Sequence, residues 1–268
     1  MANMRFDQYT SRSMAVTAIL VLVVFASGCV SSSSASLDQD FDTEAVPADT
    51  NRTGESLLNE TFSGETGEYD VNSKTRLLFN TPVTSIRMNL SSEGEFRTKS
   101  SEVRTVTRIG LGLTNASESP EWPEKTVRTE GNRSEITVRS GENTTTRTAE
   151  AYSREELGIS MEAFESIDAR DVELLGASGE NSSLLILKID AESSDLVENY
   201  KTIMEAHAVN EESSSMEQED RGFSGFNRSK TYAWIDRGDM SLERYSYFGS
   251  TAGGTAQVRV DARFGEEK

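Results

Sequence analysis

The chain has 268 residues, with 45 acidic against 27 basic side chains and a formal net charge of −18. Its single cysteine excludes an intramolecular disulfide framework and a cysteine-based zinc site, and its single histidine excludes a multi-histidine metal centre. The acid excess argues against a nucleic-acid partner, because a protein that contacts phosphates along a duplex needs a basic face.

Residues 1–28 have the pattern of a secretory signal peptide. Arg5 and Arg12 precede the apolar run Met14–Ser27, which is shorter than the roughly 20 residues that a membrane-spanning helix needs. Positive charge on the N-terminal side of such a run orients the following chain outward. The pattern predicts export of everything after residue 28.

The sequence around Cys29 suggests a lipid anchor. Ala26, Ser27 and Gly28 precede this only cysteine, and the segment resembles the lipobox of bacterial-type lipoproteins. The resemblance implies cleavage before Cys29 and lipid on its thiol, although Ala26 stands where leucine is commoner. The alternative is an ordinary cleavage site beside an unrelated cysteine. We expect Cys29 to hold the protein on the extracellular face of the cell membrane.

Two further features fit an extracellular protein. The carboxylates are spread along the chain from Asp38 to Glu267, and lysine is scarce. This composition resembles proteins of extreme halophiles, and an ordinary acidic surface protein is the alternative. Asn-x-Ser/Thr sequons, the acceptors of N-glycosylation, occur at eight positions. They are Asn51, Asn59, Asn89, Asn115, Asn132, Asn143, Asn181 and Asn227.

The mature chain divides into a tether and one domain. Residues 29–64 are rich in serine and acidic side chains and show no sustained periodicity. Low apolar content and high charge leave too little surface to bury, so we predict a disordered, solvated tether. Residues 65–268 are long enough for a single domain with its own core.

Strand patterns dominate that domain. Apolar and polar residues alternate around positions 86–90, 109–113, 136–138 and 258–264, which predicts amphipathic strands. The polar run Thr144–Thr148 predicts an exposed strand. The apolar run Leu184–Ile189 predicts a central strand that is covered on both faces.

Two helices are predicted between these strands. Ser153 and Glu156 form a capping-box pattern before Met161, Phe164 and Ile167, and a second apolar stripe covers residues 195–207. The element order predicts an α+β fold: an antiparallel sheet curved into a half-open barrel, with about two helices packed on one side.

The residues that could serve in catalysis or ion binding have simpler structural explanations. His207 is the only candidate for a histidine base, but no GxSxG turn supplies a nucleophile, and the dipole at a helix C-terminus would stabilise it as a cation. The acidic loop 208–229 could bind Ca²⁺ weakly, but it lacks the EF-hand pattern and is more simply a solvated loop. The segment Asp236–Asp239 contains Arg-Gly-Asp, which we interpret as a hairpin turn with Gly238 at positive φ. We expect no enzyme activity, cofactor or metal ion.

One segment suggests a family. From Tyr232 to Tyr245 a strand ends in Trp-hydrophobic-Asp, a short turn follows, and a second strand carries alternating long side chains. With the apolar run before a helix, this order resembles the LolA/LppX-like lipoprotein carriers over about residues 65–268. The resemblance implies a half-open antiparallel barrel whose apolar concave face, covered by helices, holds acyl chains.

The first hypothesis for function is a membrane-anchored lipoprotein that binds a lipid or a lipidated partner in that concave face. The alternatives are a structural lipoprotein that binds an envelope protein and a carboxylate-dependent hydrolase. A filled core is the alternative interpretation of the same apolar positions. The expected lining residues are Leu77, Phe79, Ile86, Met88, Ile109, Leu111 and Trp234.

Overall fold

The computed structural model describes residues 36–63, 67–81, 84–111, 122–179, 182–207 and 225–265. The predicted signal peptide, Cys29, Asn115, Asn181 and most of the acidic loop lie outside these ranges. The strands are β1 (Tyr69–Asn80), β2 (Ser85–Arg97), β3 (Ser100–Leu111), β4 (Glu124–Glu130), β5 (Arg133–Ser140), β6 (Asn143–Glu150), β7 (Ala169–Ser178), β8 (Leu184–Ala191), β9 (Arg228–Asp236), β10 (Leu242–Ser250) and β11 (Ala256–Gly265). The helices are α1 (Gly54–Ser63), α2 (Met161–Glu165) and α3 (Ser193–His207), with 3₁₀ turns at Glu155–Leu157 and Ala252–Gly254.

These strands form one antiparallel sheet that is not closed. Its order is β6-β5-β4-β3-β2-β1-β11-β10-β9-β8-β7, so β6 and β7 are its edges. The terminal strand β11 pairs with β1, which joins two meanders into one sheet. The prediction of an antiparallel sheet with a few helices is therefore confirmed. No α-helix in the described part of the chain is both long and apolar enough to cross a bilayer.

The two faces of the sheet have different coverings. On β1, Val71 and Leu77 point to one face and are buried, whereas Lys74 and Arg76 point to the other and are exposed. Apolar residues of all three helices join the cluster that contains Val71 and Leu77. We call this helix-covered face the inner face and the opposite one the outer face. Directly paired residues of antiparallel strands share a face, so the register assigns every strand residue.

The predicted strands at residues 144–148 and 184–189 are both found. Every side chain of β6 except Ala149 is exposed, as the polar run predicts. On β8, Leu185 and Leu187 are buried on the inner face and Ile186 on the outer face. The predicted cover on both faces is therefore confirmed, with Phe41 in the outer cover, but β8 lies next to the edge strand β7 and not at the centre of the sheet.

The first predicted helix is split in two. Ser153 and Glu156 do form the reciprocal capping box, with N–H to side-chain oxygen distances of 2.7 and 3.2 Å. The chain then makes only a 3₁₀ turn, because Gly158 adopts φ +70° and ends it. A new helix starts at Ser160, whose hydroxyl caps the N–H of Ala163 at 3.1 Å. The second predicted helix is α3.

Residues 36–63 correct the tether prediction. They pack on the sheet instead of remaining solvated, because they bury apolar side chains on both of its faces. Phe41 is 6% exposed against the outer face, and Leu57 of α1 is 1% exposed in the inner core. The backbone of Val46 also exchanges two hydrogen bonds with Ala177 of β7. This strand-like bridge protects part of an otherwise open sheet edge.

The Arg-Gly-Asp tripeptide lies in the β9–β10 hairpin turn, as predicted. The positive φ falls on Met240 at +63°, however, and not on Gly238. Gly238 instead donates its N–H to the carboxylate of Asp236 at 2.6 Å. Arg237 donates to the backbone oxygen of Asp49 at 2.6 Å, so the arginine also holds the N-terminal segment.

Candidate functional site

Five of the predicted lining residues lie together on the inner face. Phe79 pairs with Ile86, Leu77 pairs with Met88, and Met88 pairs with Ile109 across three adjacent strands. Leu77 is 1% exposed and Ile109 is 43% exposed, while the other three are half-buried. We call Leu77, Phe79, Ile86, Met88 and Ile109 the apolar strip. Leu111 pairs with Ile86 on β3, but its side chain lies outside the described set.

Trp234 does not join the apolar strip. Alternation along β9 places Ala233 on the inner face and Trp234 on the outer face, where its ring lies 4.3 Å from the Arg244 guanidinium. It is 4% exposed and belongs to a second apolar cluster with Phe41 and Ile186. An apolar run that is buried on both faces gives no alternation, so its sequence does not reveal which side a residue takes.

Small hydroxyl side chains lie beside the strip on the same face. Ser73 and Thr75 of β1 are buried, as are Ser92, Thr105 and Thr107 of the next two strands. Ser92 and Thr105 share a hydrogen bond of 2.9 Å, whereas the hydroxyls of Ser73 and Thr107 have no described partner. The signal was present in the sequence, because Ser73 and Thr75 are in phase with Leu77. We call these five hydroxyl residues the polar belt; they interrupt the apolar face, although Leu90 between Thr75 and Thr107 still belongs to the same core cluster as Leu77.

His207 lies at the end of α3, deep under the sheet. It is 1% exposed, and its Nε2 donates to the Leu157 carbonyl oxygen at 2.6 Å. Burial lowers its pKa to about 4; the bond to Leu157 opposes this shift, and the charge of Lys125 adds to it. His207 is therefore neutral at pH 7, which corrects the interpretation of a helix-end cation. Its buried position separates it from solvent, where a general base would have to meet a substrate.

A half-buried network fixes α2 against β1. Tyr69 donates its hydroxyl proton to Glu162 at 2.7 Å and accepts the N–H of Met161 at 3.0 Å. Arg154 donates to the other carboxylate oxygen of Glu162 at 3.0 Å. Burial alone would raise the pKa of Glu162, but the Tyr69 and Arg154 contacts outweigh it and lower that pKa. The network is structural in arrangement, since each polar atom is directed at another protein group.

The predicted hydrolase needs two or three acids with perturbed ionisation, one of which holds its proton at neutral pH. The described carboxyl groups whose pKa departs from its ordinary value are Glu68, Glu124, Glu162 and Asp239, and all four pKa values are lowered. Within the described ranges, no three His, Cys, Asp or Glu side chains lie close enough to hold a metal ion. The hydrolase remains a prediction without a site in this part of the chain.

Two surface depressions lie away from the apolar strip. One is on the outer face, lined by charged and threonine side chains that include Glu102 and Arg128. The other lies beside the β2–β3 turn and is lined by Arg97, Lys99 and Arg154 among other polar residues. The first is lined by charged and threonine side chains alone, whereas the second also includes Tyr152. Among the described residues the strip runs from the buried Leu77 to Ile109, whose side chain is 43% exposed.

The sequons in the described ranges are accessible. Asn51, Asn59, Asn89, Asn132, Asn143 and Asn227 all have exposed side chains. Exposure is necessary for a glycan to project into solvent, so none of the six is excluded.

Comparisons with known proteins give a weak structural similarity and no family match. No family model and no curated protein matches the chain. Among solved structures, the chain is similar to a DUF1329 family protein from Desulfovibrio piger, with 10% identity over 80% of this chain and 92% of that one. The TM-score is 0.29, which is too low to establish a shared fold.

Proposed function

We propose that this protein is a membrane-anchored lipoprotein of the cell surface that binds an apolar ligand, a lipid or the lipid part of a partner, on the inner face of its sheet. The observation that carries the proposal is the apolar strip. Ile109 is 43% exposed and pairs with Met88, which in turn pairs with the buried Leu77. Burying such surface contributes about 25 cal/mol per Å², so hydrocarbon laid along the strip is stabilised.

A curved sheet is part of the same proposal, and α3 supports it. The helix begins at Ser193, just after β8, and the backbone oxygen of Glu205 accepts a hydrogen bond from Lys125 Nζ of β4 at 3.3 Å. In the sheet order β8 and β4 are seven strand spacings apart, about 34 Å on a flat sheet. The helix covers only about 18 Å between these residues. A sheet that bends around the helix, as in the half-open barrel of LolA/LppX-like carriers, removes the discrepancy.

The polar belt limits where hydrocarbon could lie. On β1, Thr75 lies two register rows from Phe79, about 13 Å along the strand. Buried hydroxyl groups without partners oppose an apolar neighbour. The proposed ligand therefore lies across β1–β3 at the open end and does not enter the space under the helices.

Lipid binding is tested by native mass spectrometry of the lipidated protein extracted from its own membranes. We expect a co-purifying apolar ligand that Ile109→Glu removes, because the substitution puts a charge in the strip. Val46→Glu is the matched control, since Val46 is 55% exposed on another part of the molecule. No ligand on the unaltered protein, or equal retention in the two variants, would contradict the proposal.

The anchor is tested separately. The protein should partition into detergent, and Cys29→Ser should move it to the aqueous phase, because the variant has no thiol to carry lipid. A variant that still partitions into detergent would contradict attachment at Cys29.

A protein-binding envelope lipoprotein is the second candidate, and β6 favours it. This edge strand exposes both of its faces, and in the described sheet its outer edge pairs with no strand. Such an edge can accept a strand from a partner protein. Capture of one protein in stoichiometric amounts by the unaltered chain, lost when Thr146→Pro removes a backbone donor, would support this candidate.

A further inference from the structure

Four exposed cations lie close together on the outer face of β1, β2 and β3. Arg76 pairs with Asn89, which pairs with Arg108, while Lys74 and Arg87 occupy the adjacent rows. From strand geometry each lies within about 10 Å of Arg76. The residues that share these rows on the same strands are uncharged. We call Lys74, Arg76, Arg87 and Arg108 the cationic patch.

The acid directly opposite Lys74 is Asp261 of β11, and its ion pair is with Arg244 at 2.5 Å. In the described part of the chain none of the four forms an ion pair, although acidic residues greatly outnumber basic ones. Cations farther along the same face are paired, Arg104 with Glu124 at 2.7 Å and Arg128 with Glu102 at 2.5 Å. An unpaired cluster in a chain of net charge −18 indicates complementarity to an external anion.

The N-terminal segment reaches the sheet beside this patch. Ser36 and the backbone N–H of Leu37 both donate to the side-chain oxygen of Gln257, at 3.3 and 2.7 Å. Gln257 pairs with Leu78, which lies between the rows of Arg76 and Asn80 on β1. Cys29 precedes Ser36 by seven residues, and a chain of that length spans at most about 25 Å. Lipid on Cys29 would therefore hold the outer face close to the bilayer.

We propose that the cationic patch docks on the anionic headgroup surface of the membrane that carries the anchor. This inference rests on the proposed attachment at Cys29. Guanidinium groups form bidentate hydrogen bonds with phosphate oxygens, which suits Arg76, Arg87 and Arg108 to lipid phosphates. At about 0.1 M salt the Debye length is about 10 Å, so carboxylates on the far side of the molecule contribute little repulsion. The docked sheet would present its inner face and helices away from the membrane surface.

The test uses the full mature chain with Cys29→Ser, so that binding does not depend on the lipid anchor. Sedimentation with phosphatidylglycerol vesicles and with phosphatidylcholine vesicles is compared at about 0.1 M salt. We expect preference for the anionic vesicles, and a loss of roughly 30-fold or more in partitioning for the double variant Arg76→Glu with Arg108→Glu. Higher salt should weaken the binding.

The matched control is the double variant Lys99→Glu with Arg133→Glu. Both residues are exposed and unpaired, lie outside the patch, and give the same change in charge. It should bind like the parent chain, with circular dichroism confirming that all three proteins are folded. Equal loss in the two double variants, no vesicle binding by the parent, or binding only to a soluble acidic polymer would overturn the proposal. A failure here leaves the detergent partitioning and the co-purifying ligand unaffected, so it is distinguishable from failure of the proposed function.

Discussion

His207 donates its Nε2 proton to the Leu157 backbone oxygen at 2.6 Å, which joins the end of α3 to the 3₁₀ turn after β6. Because a carbonyl can only accept, the proton is on Nε2 and Nδ1 is bare. Nδ1 has no described hydrogen-bond partner, and the ring is 1% exposed. Protonation would place an uncompensated charge in the interior.

This contact makes stability depend on pH between the two pKa values of the histidine. The pKa of His207 is about 4 in the folded chain and about 6.5 in an unfolded one. Its contribution is fully present above pH 6.5 and is lost as the pH falls toward 4, because only the unfolded chain takes up the proton. The expected loss at pH 4 is about 3 kcal/mol.

Urea unfolding of the parent and of His207→Gln at pH 7, 5.5 and 4 measures this loss. Glutamine can keep a donor near Leu157 and does not titrate, while the carboxylates contribute alike to both proteins. The parent should lose more stability than the variant as the pH falls. Parallel curves would show that the histidine is not the group responsible.

The Tyr69–Glu162–Arg154 network gives a second prediction. Glu162→Gln should lower the free energy of unfolding by about 1–3 kcal/mol, because both partners lose a charge-assisted hydrogen bond while half-buried. Glu165→Gln, an exposed neighbour on α2, should change it by less than about 0.5 kcal/mol. Urea unfolding at pH 7 compares the two, and equal effects would contradict the role given to Glu162.

The network has its own pH signature. The pKa of Glu162 is lowered in the fold, so its contribution is present above the unfolded pKa of about 4.3 and is lost as the pH falls below that value. The difference between the parent and Glu162→Gln should therefore shrink below about pH 4.

Local patterns in the sequence predicted elements better than they predicted contacts. Alternation located β2, β3, β5 and β11, and the apolar stripe located α3, because in each the periodicity follows from one covered face. The capping box at Ser153 was also found, but the helix it announced stops at Gly158. Gly158 lies directly against Ile203 of α3, and this tertiary contact does not follow from the local pattern.

The larger errors of the sequence-based prediction also arise from tertiary contacts. Phe41 is one aromatic residue among acidic ones, and no pattern in residues 36–46 predicts that it is buried on the outer face. For the candidate site, five of seven predicted residues form one strip because they follow a clean alternation on β1, β2 and β3. Trp234 was predicted to lie with these residues but lies on the outer face. Because β9 is buried on both faces, its sequence does not show which side each residue takes.

Gly158 offers a prediction with an internal standard. Its φ is +70°, and an added Cβ would lie 2.8 Å from the backbone nitrogen of Ile203. Gly131 has a φ of +58°, with open space around the same position. Gly131→Ala should therefore cost only the left-handed backbone, about 1 kcal/mol. Gly158→Ala adds displacement of α3 and should cost roughly 3 kcal/mol or more. Equal unfolding midpoints for the two variants would mean that α3 does not rest on this turn.

The last prediction concerns the docking of the N-terminal segment on the outer face. The ring of Phe41 lies 5.2 Å from that of Tyr232, and the Arg259 guanidinium lies 4.0 Å from the Phe41 ring centre. Phe41→Ala should lower the free energy of unfolding by about 3 kcal/mol, because the side chain is 6% exposed and its removal leaves a cavity. Val46→Ala, with a side chain 55% exposed, should change it by less than about 0.5 kcal/mol.

Limited proteolysis separates docking from global stability. In the Phe41→Ala variant, cleavage within residues 36–50 should become faster while the sheet stays protected, because the detached segment exposes its backbone. The Val46→Ala variant should be cut at the rate of the parent. If all three proteins were cut equally fast in this segment, residues 36–50 would behave as the solvated tether that their composition predicts, and the outer cluster around Trp234 would have to be covered in another way.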